Sequence, residues 1–381
     1  MTEPYTLYGS YASYYTAKTR SCLRKKGIPF VERLPSDPMF RNKVRPASGS
    51  HRIPQLLTPG GEVVQDSVQI QDHLEPLFPA VPAIPSTPRQ RIYVHLLELL
   101  GSEGLVRLAW LHRWVFADNR DFVIRDFGRS FKPQGSDEEL LHYGQLIADR
   151  MMSYGLPEST AALREQLDEQ YKALLALFET HFTDHPYLLG GHPSAADYAV
   201  MGALHAHLGR DPAGLQVMQA NAPRVFRWVE HMNTPEIQSP EFYHRPIEYP
   251  ANDEVPATAL AVLAFLGEHY AEPFVLSCLA FAQAMQTRQP QAGEVLWPDQ
   301  DQPALPAEHI NLHGQAHEHS ANVHGVWLAQ RAQKYFHTLV DDARASVVEM
   351  LGDSLLAELV MMPVEFELER QNNRFAIARR A

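Results

Sequence analysis

Short apolar runs separated by polar turns open the chain. Tyr5 to Ser10 is aromatic and β-branched and predicts a strand; Lys18 to Lys26 reads as a helix closed by Gly27; Pro29 to Leu34 predicts a second strand. Lys25 and Lys26 fall in the last helical turn, where cations suit the helix dipole. The stretch with Pro35, Pro38, Pro46 and Gly49 is too irregular for a long element. Ile53 to Thr58 and Glu62 to Gln65 flank Pro59-Gly60-Gly61 and predict a hairpin. Asp66 or Ser67 then caps a helix running to about Leu77, with Val68, Ile70 and Leu74 on its apolar side. Residues 1–80 therefore read as one α/β unit.

Pro79, Pro82, Pro85 and Pro88 mark a join, because repeated proline stops either regular element. Beyond it the period is helical. Leucines recur from Arg89 to Phe116, and Leu163, Leu167, Leu174, Phe178 and Phe182 form a stripe. Ala195 to Leu208 is apolar nearly all round, as a buried helix would be, and Ala222 to Met232 closes this all-helical region, residues 86–249. Composition shifts again over 250–381. Two apolar helices are expected between Pro256 and Gln286, then a Pro/Gln/Asp-rich loop, a His-rich stretch read as a polar loop, a helix near Trp327 to Asp341, and a terminal hairpin turning at Asn372-Asn373.

A net charge of −12 argues against nucleic acid or an acidic membrane face as partner, since both need a basic surface. Two distant cysteines, Cys22 and Cys278, make no disulfide framework and fit a reducing compartment. No secretory signal and no bilayer-length apolar run is visible, so a cytoplasmic location is expected. His309, His313, His317, His319 and His324 raise the question of a metal. Gly314 and the lack of clustered Cys or Asp argue against a shared ligand face, so no metal is expected.

Four places in order along the chain resemble the cytosolic glutathione transferase superfamily. In Leu7-Tyr8-Gly9-Ser10-Tyr11-Ala12-Ser13-Tyr14, Ser13 falls where zeta-like members carry their catalytic serine and omega-like members a cysteine. Arg52-Ile53-Pro54-Gln55-Leu56 is similar to the family segment whose proline is cis. Val64-Gln65-Asp66-Ser67 resembles the acidic/amide–serine pair that holds the γ-glutamyl end of glutathione. Ser194-Ala195-Ala196-Asp197 resembles the capping box of the family's helical domain. Tyr14, where related enzymes often have Ser or Pro, departs from the pattern, as does the extension beyond residue 250, which looks similar to a tail in some bacterial transferase-like proteins. The resemblance implies a thioredoxin-like domain followed by a transferase-type helical domain, with an added α+β segment. It also implies a homodimer with glutathione as co-substrate and a small electrophile as second substrate.

Glutathione attacks only as a thiolate, and a free thiol of pKa near 8.5 is mostly protonated at neutral pH. A donor beside the sulfur, at a helix N-terminus, stabilises the anion. Ser13 suits that role, and it equally suits plain N-capping. Tyr11, Tyr14 and Tyr15 are also near, Tyr14 being the next candidate. A cis bond at Ile53-Pro54 would turn the Ile53 main chain outward to pair with the cysteinyl part of glutathione like an added strand. Asp66 suits the ligand's α-ammonium, and Ser67 with the amides of its helix suits the α-carboxylate. Arg52, His51 and Arg45 are candidates for the glycyl carboxylate. Ser194 and Asp197 are structural. The aromatic residues from Trp110 to Phe116 read as core, although in the family this helix lines the electrophile pocket. Conjugation, or a related isomerase or dehalogenase step, is the leading expectation. A non-catalytic glutathione- or apolar-ligand-binding module, with the extension as a partner surface, is the alternative. Thiol–disulfide exchange lacks its cysteine at position 13.

Overall fold

A computed structural model describes residues 4–153, 158–300, 303–312 and 315–378, with side chains given outside 306–320. Eight strands and sixteen α-helices are described in chain order. The first part carries β1 (Tyr5–Tyr8), α1 (Tyr14–Lys25), β2 (Phe30–Arg33), α2 (Arg45–Ser48), β3 (Gln55–Leu57), β4 (Val63–Gln65) and α3 (Ser67–Leu74). Helices follow as α4 (Pro88–Leu99), α5 (Leu105–Val115), α6 (Arg120–Phe131), α7 (Asp137–Met152), α8 (Ala161–His181), α9 (Ala195–Met201), α10 (Pro212–Asn221) and α11 (Pro223–Met232). The remainder holds α12 (Ala257–Tyr270), α13 (Glu272–Arg288), β5 (Ala304–Leu312), β6 (Gln315–Asn322), α14 (Val323–Thr338), α15 (Asp341–Leu351), α16 (Leu355–Met361), β7 (Leu368–Gln371) and β8 (Arg374–Ile377). The chain forms two compact units, one of residues 1–83 with 105–248 and one of 84–104 with 249–381.

In the first unit the sheet order is β2-β1-β3-β4, with β1 parallel to β2 and antiparallel to β3. Its core is Leu7, Leu23, Leu56, Ile70 and Leu74, the inward positions of β1, α1, β3 and α3, together with Ile28 between α1 and β2. Helix α1 starts a turn earlier than the apolar period suggested, because Ser13 caps it: the Ser13 hydroxyl oxygen accepts from the Thr16 amide at 3.3 Å. The lysines at its far end do more than face a dipole. Lys26 Nζ donates to Val81 O at 2.7 Å and pairs with Glu75 at 2.8 Å, and burial pulls the Lys25 ammonium down to about 7. The Pro-bearing stretch after β2 holds a π-helical turn, Phe40–Val44, and then α2, ending at Gly49 in the left-handed region.

Helix α9 grows from the capping box read in the sequence. Asp197 accepts from the Ser194 amide and hydroxyl, each at 2.8 Å, and from the Leu188 amide at 2.9 Å. It then widens into a π-helical turn, Gly202–His207, against which α1 packs. Helices α6 and α7 form a tight hairpin in which Gly128 and Gly144 let backbones meet; a methyl group on either would fall within 2.1 Å of a carbonyl oxygen.

The second unit is built around α4 and α14. Ile92, Leu96 and Leu99 bury the apolar side of α4, while Glu98 meets Arg331 of α14 at 3.4 Å and Arg91 lies over the Tyr335 ring at 4.3 Å. The His-rich stretch is a β5–β6 ladder, with backbone register His309↔Glu318 and Ile310↔His317, where a loop was expected. Main-chain pairing between two strands needs no apolar face, so the His-rich composition concealed it. His313 and the side chains of His309, His317 and His319 lie outside the described residues. The β7–β8 hairpin turns at Asn372 and Asn373, both with positive φ, as the Asn-Asn pair foretold. No single described helix is long and apolar enough to cross a membrane. Helices α12 and α13, bent by 59° at their junction, reach the length and composition only as a pair.

Candidate functional site

Sheet register gathers the candidate residues. Tyr8, the last residue of β1, pairs with Gln55, the first of β3, and Gln55 pairs with Gln65, the last of β4. The turn leading to Ser13, the Ile53-Pro54 segment and the Asp66-Ser67 pair therefore leave the sheet at one end. Helices α1 and α3 both begin there, so two positive dipole ends share that edge.

Ser13 is half-buried at the N-cap of α1. Tyr14 is 5% exposed and turned into the helical layer, its ring against Gly202 and edge-on to His207 at a centroid distance of 5.5 Å. Tyr15 packs on Tyr14 at 5.3 Å. Tyr11 stands half-exposed at the surface, covered by the Arg20 guanidinium at 4.3 Å.

The Ile53–Pro54 peptide is cis, and the ladder begins only at Gln55. The loop before it is held by buried polar groups that sequence reading passed over. Gln55 Nε2 donates to Ser50 O at 2.9 Å and to Arg52 O at 2.8 Å, while the Arg52 amide donates to Ser50 Oγ at 3.1 Å. Gln55 is fully buried although it borders a loop; a lone amide inside an apolar strand is the signal that could have marked it. Asp66 adopts φ 82° and ψ 136°, a region few non-glycine residues enter, at a cost of about 1–3 kcal/mol. Its Oδ1 accepts from the Val68 amide at 2.8 Å and from the Gln69 amide at 3.4 Å, so the carboxylate is pinned over the start of α3 with Ser67 as first helical residue. His51 meets Arg150 of α7 at 3.4 Å, and Arg45 lies exposed on α2.

A half-buried and a buried ion pair border the turn before Ser13. Arg20, fully buried, makes a two-pronged pair with Glu32 at 2.7 and 2.6 Å. Arg113 pairs with Asp211 at 2.7 and 3.0 Å. Neither was singled out from the sequence, although Arg113 is a charge inside the apolar run Leu105–Val115. Around it Phe116 stacks on the buried His112 at 4.2 Å and Trp114 on Phe127 at 6.0 Å, but Trp110, Trp114 and Phe116 are each only half-buried, so the core expected there is made by their aliphatic neighbours Leu108, Leu111 and Val115. Among the described residues no group of His, Cys, Asp and Glu is arranged to hold a metal ion.

Residues 7–82 match the family model described as glutathione S-transferase, N-terminal domain, and residues 161–231 match that of the glutathione S-transferase, C-terminal domain. No curated protein matches the sequence. Among solved structures, the beta-etherase LigF from Sphingobium sp. strain SYK-6 is 21% identical, covering 64% of this chain and 98% of its own, at a TM-score of 0.42. A glutathione S-transferase from Methylobacterium radiotolerans, in complex with glutathione sulfonate, is 21% identical over 67% of this chain and 100% of its own, at 0.36. The transferase GSTFuA3 from Phanerochaete chrysosporium is 14% identical over 63% and 100%, at 0.41. The N-terminal match spans the sheet end just described and the C-terminal match spans the capping-box helix. With both domain matches in order along it, the chain belongs to the glutathione S-transferase superfamily.

Proposed function

We propose that the protein is a glutathione-dependent transferase that holds the tripeptide at this sheet end and adds its sulfur, as thiolate, to a small electrophile. The observation that carries this reading is the row Tyr8–Gln55–Gln65, which brings a hydroxyl, a cis-proline segment and an Asp-Ser pair to one edge with two helix N-termini. Ser13 donates to the sulfur. Capping does not compete with this: the oxygen accepts from the Thr16 amide, and the hydroxyl hydrogen stays available as donor. Tyr14 is the weaker candidate, since its ring is packed into the helical layer. The Ile53 main chain pairs with the cysteinyl unit, Asp66 with the α-ammonium, Ser67 and the α3 amides with the α-carboxylate, and Arg52 with the glycyl carboxylate.

Lowering a thiol from about 8.5 by about two units takes about 2.7 kcal/mol. A hydrogen bond to a charged acceptor supplies about 1.5–3 kcal/mol and a helix N-terminus about 0.3–1 kcal/mol, so the two together are of the required size. The thiol proton leaves to solvent. The sulfur lone pair then forms the carbon–sulfur bond, and the electrophile's leaving group departs with the bonding pair.

Retention on immobilised glutathione with elution by free glutathione, followed by turnover of a chloronitroaromatic electrophile in wild type and Ser13→Ala, tests the proposal. Binding with a rate falling about tenfold to a hundredfold, the scale of a lost donor, supports it. Binding with no turnover above solution would favour the non-catalytic module. Activity that survives Ser13→Ala but disappears in Tyr14→Phe would move the donor to Tyr14.

A further inference from the structure

The peptide bond that enters Ser13 is pinned on both sides, and the pins come from different parts of the fold. Its oxygen, Ala12 O, accepts from Arg113 Nη1 at 2.9 Å. Its nitrogen, Ser13 N, donates to Ser10 O at 3.2 Å, and Ser10 O also accepts from Arg20 Nη2 at 3.3 Å. The Ser10 hydroxyl closes the turn, accepting from the Ala12 amide at 3.2 Å and meeting Ser130 Oγ of α6 at 2.9 Å.

Arg113 is the most exacting of these holds. It sits on α5, 3% exposed, against Asp211 at 1%, and Nη2 also donates to Ala206 O at 2.6 Å. Burying a charge costs several kcal/mol, and an ion pair of this kind generally adds little net stability over an apolar replacement. What the pair does secure is direction. Asp211 takes Nε and Nη2 in a planar two-pronged contact, which leaves Nη1 aimed at Ala12 O. A peptide plane held at its oxygen and its N–H cannot rotate, so the backbone entry to Ser13, φ −85°, is fixed before the side chain is placed.

We propose that Arg113, locked by Asp211, is a positioning residue for the Ser13 hydroxyl, acting through the Ala12 carbonyl oxygen. The assignment rests on the reading of Ser13 as donor to the glutathione sulfur.

The test compares wild type, Ser13→Ala, Arg113→Lys and the double variant Arg113→Met with Asp211→Leu, which removes both charges and so leaves none buried alone. Three quantities are read: thermal unfolding, glutathione affinity by calorimetry, and the pH titration of bound thiol followed by thiolate absorbance. In the double variant the bound thiol titrates about one unit higher, a tenfold loss of thiolate below its pKa, while affinity stays within about threefold. Arg113→Lys keeps a cation beside Asp211 but not the fork, so its thiol also titrates above wild type, and it serves if the double variant does not fold. A thiol pKa that moves in Ser13→Ala but not in the Arg113 variants overturns the positioning role alone. A thiol pKa unmoved in Ser13→Ala overturns the Ser13 reading and this inference with it.

Discussion

Gly202→Ala puts the packing beside the site under direct stress. The added methyl carbon would lie 2.2 Å from Tyr14 Cε1 and 2.3 Å from Cδ1, against a favourable carbon separation of about 3.5–4.0 Å. The ring must give by more than about 1 Å, and it has little room, with 5% exposure, His207 at 5.5 Å and Tyr15 at 5.3 Å. In an open helix the same change would stabilise by about 0.5–1 kcal/mol. Overpacking of about 1–3 kcal/mol reverses the sign here. At roughly 2–4 °C per kcal/mol for a unit of this size, calorimetry should find Tm lower by about 2–12 °C. Because Tyr14 follows Ser13 directly, glutathione affinity should fall as well. Adding Tyr14→Ala removes the obstacle, so a double-mutant cycle should show favourable coupling of about 0.5–3 kcal/mol. A Gly202→Ala protein as stable as wild type, or more so, would refute the packing argument.

Acid should unfold the protein from the histidine side. Burial pulls His112 and His181 from 6.5 down to about 4, and both are essentially unexposed. Between those values the unfolded chain takes up a proton that the folded chain refuses, so stability falls as pH drops from 6.5 towards 4, by up to about 3 kcal/mol for each. Burial raises Asp197 to about 6, which works the other way over the same window, but two histidines outweigh one carboxyl. Urea midpoints at pH 7 and pH 5 check the sign, and a higher midpoint at pH 5 would contradict it. Asp197→Ala leaves the Ser194 amide and hydroxyl and the Leu188 amide without their acceptor and should cost about 3–5 kcal/mol; a loss below 1 kcal/mol by urea unfolding would mean the box is dispensable. Asp66→Asn keeps an oxygen for the α3 cap but removes the charge. Stability should hold within about 0.5 kcal/mol while glutathione affinity drops about tenfold, and calorimetry finding equal affinity would remove Asp66 from the ammonium site.

What could be read in the sequence was local. Caps at Ser13, Asp66 and Ser194 depend on residues three apart, and the hairpins at 59–61 and 372–373 on turn chemistry within a few residues. Ser13, Ile53-Pro54 and Asp66-Ser67 then fall just outside β1, β3 and β4, which are neighbours in the sheet, and so one sheet end collects them. What escaped was tertiary. Arg113 and Asp211 stand 98 positions apart, and nothing beside either names the other. Tyr14 fills the space that a side chain at position 202 would need, a fact about a distant helix. The β5–β6 ladder escaped for a different reason: main-chain pairing does not require the alternating apolar face by which strands are read.

The central claim is that the bound sulfur is an anion stabilised by the position-13 hydroxyl. Titrating glutathione on the saturated protein, with thiolate absorbance read across pH, measures that quantity itself. Wild type should bring the thiol about two units below its free value, and Ser13→Ala should return it most of the way at unchanged stoichiometry. A bound thiol that titrates like the free one in wild type, or identically in both proteins, would contradict the account.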